Sequence, residues 1–268
     1  MSRPAPAEIW PGRSVALLKA LHILTADGGL NADSRRKLKQ VTHLGQLIEP
    51  AIAAVLCDQP DPLLADLGAG KSYLGLILYD LHFRRSGRGR VLAVESRPEL
   101  VAAAKKIACD SGFERMDFRL GRIADAEVGK VDIVTALHAC DTATDDAILF
   151  ALRHDARFVA LVPCCQAEVA RQLEGEHGPL DQLWRHPIQR REFAAHLTNV
   201  LRALFLESAG YKVSVTELTG WEHSLKNEFI LAERHQRASP KARREFQRLA
   251  KSVGAAPKLL NDYLAATS

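Results

Sequence analysis

Residues Ala65-Asp66-Leu67-Gly68-Ala69-Gly70-Lys71-Ser72-Tyr73-Leu74 constrain the fold more than any other stretch, because they join an apolar strand to a helix through a glycine turn. Upstream, Pro62-Leu63-Leu64-Ala65 reads as a short buried strand. From Tyr73 to His82, apolar residues at Leu74, Ile77, Leu78 and Leu81 recur at helical spacing. Glycines at the turn allow positive φ and let backbone approach a ligand closely. The alternation then continues. Arg90–Val94 is a strand ending in Glu95, and a helix follows from about Pro98 to Gly112, with proline at its start and glycine at its end. Further strands are predicted at 116–120, 131–137 and 158–162, then a helix at 191–209 and a final strand pair at 212–218 and 226–232. Strands alternating with helices argue an α/β fold with a mostly parallel, doubly wound seven-stranded sheet and an antiparallel last strand.

The turn discriminates among nucleotide-like ligands. An NTPase phosphate loop requires G-x-x-x-x-G-K-[ST]; Gly70-Lys71-Ser72 supplies its end, but Ala65 stands at the first glycine position. A dinucleotide loop requires G-x-G-x-x-G, and the third glycine is replaced by Tyr73, too large for close helix–strand packing. What remains is Asp-x-Gly-x-Gly, whose acid repels a pyrophosphate and suits the amino-acid part of S-adenosylmethionine.

On these residues the chain resembles the class I S-adenosylmethionine-dependent methyltransferases. Gly-Ala-Gly-Lys-Ser-Tyr-Leu-Gly at 68–75, His-Ala-Cys-Asp-Thr-Ala-Thr-Asp at 138–145 and Pro-Cys-Cys at 163–165 look more narrowly like a methyltransferase-like branch related to eukaryotic tRNA 2′-O-methyltransferases. The resemblance implies a Rossmann-like fold, S-adenosylmethionine as cofactor, and a cofactor site built from Asp66, Gly68, Ala69, Gly70, Tyr73, Glu95, Ser96, Arg122, Ile123, Leu137 and His138. Glu95 falls where the family places an acid on the ribose hydroxyls, and a carboxylate accepts two hydrogen bonds from a diol. Arg122 stands where the family usually carries an acid facing adenine.

The fourth strand delivers His138-Ala139-Cys140-Asp141 to the carboxyl edge of the sheet, where open α/β sheets bind ligands. His138, Cys140, Asp141 and Cys164 are the catalytic candidates. His138 and Asp141 are the general-base candidates for a hydroxyl or protonated-amine acceptor; equally, His138 could satisfy a local carbonyl and Asp141 or Asp145 could cap a helix. The thiols of Cys140, Cys164 and Cys165 admit packing, substrate-pocket or metal readings, but the spacing of a structural zinc site is absent. No metal is expected.

Three segments are expected: residues 1–60 as an N-terminal extension with one long helix from about Arg35 to Leu56, 61–234 as the methyltransferase domain, and 235–268 as a basic helical tail. Ser239-Pro240 reads as a cap and first turn opening that tail helix. The first 13 residues are proline-rich and expected to be poorly ordered. No uninterrupted apolar run is long enough to span a membrane, and five cysteines lack framework spacing, so a cytoplasmic protein with reduced thiols is expected. The formal charge is only +4, yet the cations cluster: Arg35 and Arg36, Arg84 and Arg85, Arg243 and Arg244. Such clusters favour a polyanion through counterion release, or else form solvated helix faces. The expected activity is methylation of RNA, tRNA or rRNA; the alternatives are a protein or small-molecule acceptor, a silent methyltransferase-fold module that binds RNA or protein, and a phosphate-loop NTPase. The oligomeric state is left open.

Overall fold

Five strands rich in β-branched and aliphatic residues carry side chains that are buried on both faces, as a sheet sandwiched between helices requires. The computed structural model describes residues 9, 12–137, 139–163, 166–173, 179–218, 228–235, 237–259 and 261. Its strands are β1 (Leu63–Leu67), β2 (Arg90–Glu95), β3 (Met116–Leu120), β4 (Ile133–Ala136), β5 (Phe158–Leu161), β6 (Tyr211–Glu217) and β7 (Glu228–Arg234). They form one sheet in the order β3-β2-β1-β4-β5-β7-β6. β1 to β5 run parallel, and β7 lies antiparallel to both β5 and β6. The fold is therefore the expected Rossmann-like one, with its strand order reversing between β1 and β4.

The helices are α1 (Val15–Ala20), α2 (Ala32–Asp58), α3 (Tyr73–Leu78), α4 (Arg84–Ser86), α5 (Pro98–Asp110), α6 (Thr142–Arg153), α7 (Glu168–Gln172), α8 (Pro187–Ser208) and α9 (Pro240–Ser252). Alternate strand residues feed two cores. Ala65, Leu67, Val134, Val159 and Leu161 pack with Ile148 and Phe150 of α6, Phe205 of α8 and Phe246 of α9. Leu64, Val91, Ile133 and Phe158 pack on the other face with Ile48 and Ile52 of α2 and Leu76 to Leu78 of α3. Both long extensions are thus bound into the core. α9 is capped by the Ser239 hydroxyl, which accepts from Ala242 N–H, as its Ser-Pro start predicts.

Several boundaries differ from the sequence reading, three of them for a local physical reason. α2 begins three residues earlier than expected, because the Asn31 side chain accepts from Ser34 N–H and caps it there. α1 lacks any sequence counterpart; at six residues its periodicity is too short to register, and its cap is the Ser14 hydroxyl. The helix expected through His82 is α-helical only to Leu78, and Tyr79–Phe83 widens into a π turn. That turn surrounds the fully buried carboxylate of Asp80, which accepts from Ser14 N–H and pairs with Arg84 at 2.7 Å. Among the described residues, no helix is long and apolar enough to cross a membrane.

Candidate active site

The β1–α3 turn is organised from below by Asp66. This side chain is 1% exposed, and its carboxylate accepts from Thr135 Oγ1 at 3.0 Å, Ser72 Oγ at 3.1 Å and Gly75 N at 3.2 Å. Thr135 is its register partner on β4, so the acid also ties the two strands at which the sheet order reverses. Burial pushes the Asp66 carboxyl up to about 6, against the opposing donation of Thr135, Ser72 and Gly75. Asp66 therefore shapes the turn from within the fold rather than presenting a free carboxylate to a ligand.

Above it, Gly68 and Gly70 both adopt positive φ, at 62° and 60°. A Cβ on Gly68 would come within 3.2 Å of the Ala139 Cβ, so this glycine allows the turn to pack on the segment that follows β4. The two motifs separated by some seventy residues meet at that contact. A Cβ on Gly70 would meet nothing within 4 Å, which leaves the outer side of the turn open for a ligand. Gly75 lies outside the expected site, yet a Cβ on it would collide with Ser72 Oγ at 2.6 Å and Asp66 Oδ2 at 2.9 Å.

Glu95 closes the other side of this opening. Its Oε2 accepts from Gly70 N at 2.7 Å, which couples the end of β2 to the glycine turn. Its Oε1 accepts from Ser96 N at 3.0 Å, Arg97 N at 3.1 Å and Arg97 Nε at 2.9 Å. Burial works against its charge, but donation by Arg97 and by the backbone of Gly70 and Arg97 outweighs it and holds the carboxyl below the usual range. Gly121 N–H donates to Glu95 O at 3.0 Å, placing Arg122 and Ile123 beside this edge. Ile123 is buried, whereas the Arg122 side chain is exposed and stands 4.0 Å from Asp125. Ala69 donates to Val94 O, and Ser96 is exposed.

On the α2 side, Tyr73 and Leu137 share a cleft of about 190 Å³ with Lys37, Gln40, Val41 and Leu44. Burial and the nearby Asp33 raise the Tyr73 phenol above its ordinary range. The start of α2 therefore reaches the carboxyl edge through Lys37, with Arg35 and Arg36 exposed beside it. Arg36 and Lys37 both pair with Asp33. The Arg84 cluster is placed differently, because it precedes β2 at the opposite, amino edge. There Arg84 holds Asp80, Arg88 donates to Leu56 O, and Arg90 pairs with Asp61.

Among the catalytic candidates, His138 and Cys164 lie outside the described residues, as does Cys165. Cys140 is exposed and carries no disulfide. Asp141 is not oriented as a base. Its Oδ1 accepts from Ala167 N and Glu168 N, each at 2.9 Å, and its Oδ2 lies 3.1 Å from Arg171 Nη2. It caps α7 rather than α6, although it precedes α6 in the chain. Burial opposes its ionisation, but the N–H groups of Glu168 and Ala167 and the Arg171 guanidinium hold its carboxyl below the usual range. Its backbone has φ 55°, ψ −124°, a conformation that a non-glycine residue adopts only when the surroundings impose it.

A residue absent from the sequence reading supports this shelf. Arg202 of α8, 1% exposed, donates to Asp145 Oδ1 at 2.7 Å, to Asp141 O at 2.8 Å and to Asn199 Oδ1 at 3.3 Å. The chain-level signal that could have found it is an arginine on the apolar face of a helix, among Leu201, Phe205 and Leu206.

The curated relative "Glutathione S-transferase C-terminal domain-containing protein homolog" of Drosophila pseudoobscura pseudoobscura is 25% identical over 214 residues, 69% of this chain and 35% of that protein. The chain thus spans about a third of that relative's length. Solved structures with a similar course include an rRNA methylase from Streptococcus thermophilus (11% identity, 71% of this chain and 95% of that one, TM-score 0.48). Another is magnesium protoporphyrin IX methyltransferase from Synechocystis PCC 6803 with bound SAH (15% identity, 81% and 94%, TM-score 0.46). The profile of a family described as a methyltransferase domain matches residues 36–172, which contain the glycine turn, Glu95 and the 139–141 shelf. S-adenosylmethionine is the cofactor of such a domain, and the residues fit it: an open glycine turn beside a strand-end carboxylate able to accept from a diol. By that match, over half of its length and across all three parts of the site, the chain belongs to the methyltransferase-domain family.

Proposed function

We propose that this protein transfers a methyl group from S-adenosylmethionine to RNA. The observation that carries the methyl-transfer reading is the 2.7 Å bond from Gly70 N–H to Glu95, which frames one opening between the glycine turn and the end of β2. When bound there, the sulfonium supplies an electrophilic methyl group. The chain's own contribution is alignment: Asp66, Ser72 and Gly75 hold the turn, and Glu95 accepts from the ribose. Positioning of reactants can by itself supply much of the acceleration for an in-line displacement.

Exposed cations at two places support RNA as the acceptor. Arg35 and Arg36 are exposed at the start of α2, next to Lys37 of the cleft, and α9 exposes Lys241, Arg243, Arg244, Arg248 and Lys251 while burying Ala242, Phe246 and Ala250. Phosphate neutralisation by such groups supplies sequence-independent affinity that falls with salt. Incubation with methyl-labelled cofactor and fractionated RNA, protein and metabolites tests the reading. Label in the RNA fraction supports it, and label confined to protein or metabolites overturns the RNA assignment. Absence of cofactor-product binding by calorimetry overturns the methyl-transfer reading itself.

A further inference from the structure

Beyond the end of β5 lies a second cavity, of about 210 Å³, lined by Gln166, Asn199, His196, Glu228 and Arg191. Because β7 runs antiparallel to β5, with Leu161 opposite Ile230, Glu228 at the start of β7 sits at the carboxyl edge of the sheet. The cavity is one side chain away from the shelf of the candidate active site, since Arg202 touches both Asn199 and Asp141.

The hydrogen-bonding pattern here is dictated from the interior outward. Arg202 can only donate, so Asn199 must turn its Oδ1 towards it, and Asn199 Nδ2 then donates to Glu228 Oε2 at 2.7 Å. With Asn199 Oδ1 fixed as an acceptor, Gln166 must present Nε2 to it, at 3.2 Å. The remaining Gln166 atom, Oε1, is therefore an acceptor by necessity. It is buried in a residue 5% exposed and has no hydrogen-bond partner among the described residues. A buried acceptor without a donor costs on the order of 1–3 kcal/mol, so this atom gains from a donor brought by water or by a ligand in the cavity. Its companion, Glu228 Oε1, faces the His196 imidazole at 3.6 Å. Two acceptors, one of them anionic, are thus suspended from a single amide.

We propose that this cavity receives the Watson–Crick edge of a guanine in the RNA acceptor, with N1–H and N2–H donating to Glu228 and Gln166. The choice of a nucleotide rests on the RNA reading above; the donor pattern does not. Guanine alone among the four bases presents two adjacent N–H donors on that edge; adenine, cytosine and uracil would each turn an acceptor towards the carboxylate. Arg191 and Glu192 both line the cavity, and Arg191 offers a cationic partner to an attached phosphate. The volume suffices for a bicyclic ring, since cavities of about 150 Å³ already hold benzene.

The test is titration of the full chain, saturated with S-adenosylhomocysteine, with the 5′-monophosphates of guanosine, inosine, adenosine and cytidine and with arginine amide, followed by calorimetry or ligand-observed NMR. Guanosine monophosphate is expected to bind saturably and about 10-fold more tightly than the inosine nucleotide, which lacks the second donor. Glu228→Gln, which turns an outward acceptor into a donor, and Gln166→Met are each expected to weaken guanosine binding about 10-fold while leaving S-adenosylhomocysteine affinity and the melting temperature near wild type. Equal binding of the guanosine and inosine nucleotides, no saturable guanosine binding, tighter binding of arginine amide, or indifference of both variants would each overturn the proposal. Guanosine selectivity without methyl transfer to RNA would leave the pocket standing and remove the RNA-methylation reading; the reverse result would do the opposite.

Discussion

Arg202 and Asp145 form an ion pair in the protein interior, with Nε 2.7 Å from Oδ1 and both residues at most 3% exposed. The same guanidinium donates to Asp141 O and Asn199 Oδ1, so α8 holds both the shelf after β4 and the amide network beyond β5. Arg202→Met is expected to destabilise the protein by about 3–5 kcal/mol, because it leaves a buried carboxylate and two acceptors uncompensated. The double variant with Asp145→Leu should recover part of that loss, as replacement of a whole buried pair is often near neutral. Urea unfolding of the two variants checks this; an additive loss in the double variant would contradict it.

Gly75→Ala places a Cβ 2.6 Å from Ser72 Oγ and 2.9 Å from Asp66 Oδ2. Neither atom can yield without breaking the bonds that shape the glycine turn, so cofactor-product binding should fall by at least about 10-fold. Gly129→Ala, where a Cβ meets nothing within 4 Å, serves as the control and should bind normally. Calorimetric titration with S-adenosylhomocysteine distinguishes the two.

The raised Asp66 carboxyl carries a pH signature. Its folded pKa of about 6 lies above the unfolded 3.8, so the folded state holds the proton more tightly. The stability this contributes is complete below the unfolded value and lost as pH rises through about 6. Relative to Asp66→Asn, the wild type should gain on the order of 1 kcal/mol between pH 7.5 and pH 5 in urea unfolding. A difference that is flat across that range would show that the carboxyl titrates in its ordinary range.

Asp141→Ala removes the acceptor for two backbone N–H groups at the start of α7 and the partner of Arg171. A loss of about 1–2 kcal/mol is expected, consistent with removal of a helix cap. Because the native carboxyl is held below its usual range, that contribution should be present above the unfolded pKa and disappear as pH falls through the folded one. Once an acceptor is in hand, Asp141→Asn should leave the pH profile of methyl transfer unchanged, whereas a general base at this position would shift it.

Glu95→Ala should weaken cofactor-product binding by at least about 10-fold and cost about 1–2 kcal/mol of fold stability, since the N–H groups of Gly70, Ser96 and Arg97 lose their acceptor. Charge-assisted acceptance from a diol is the interaction removed. Equal affinity of wild type and variant in a calorimetric titration would detach Glu95 from the ribose.

What local sequence determined is what local physics controls. The spacing of Leu74, Ile77 and Leu78 set the helix after the glycine turn, the Ser239-Pro240 pair marked the start of α9, and the run Arg90–Glu95 marked β2 to the residue. Periodicity and capping act within one or two turns of chain, so they are written in neighbouring residues. Alternation of such elements then sufficed for the fold class, and two glycines after a strand-end acid sufficed for the cofactor turn.

Tertiary packing decided the rest. Nothing near Asp141 indicates that its carboxylate serves α7, 26 residues away, instead of the helix that it precedes. Arg202 and Asp145 lie 57 residues apart, and Gln166 and Asn199 lie 33 apart. Which polar groups meet in the interior depends on how α6 and α8 pack against the sheet and on β7 inserting between β5 and β6. Asp66 makes the same point within the motif itself. Its place in the turn was legible from sequence, but the direction of its carboxylate, inward to Thr135, Ser72 and Gly75, follows from the register of β1 against β4. A buried carboxylate goes where donors are, and only the assembled sheet supplies them.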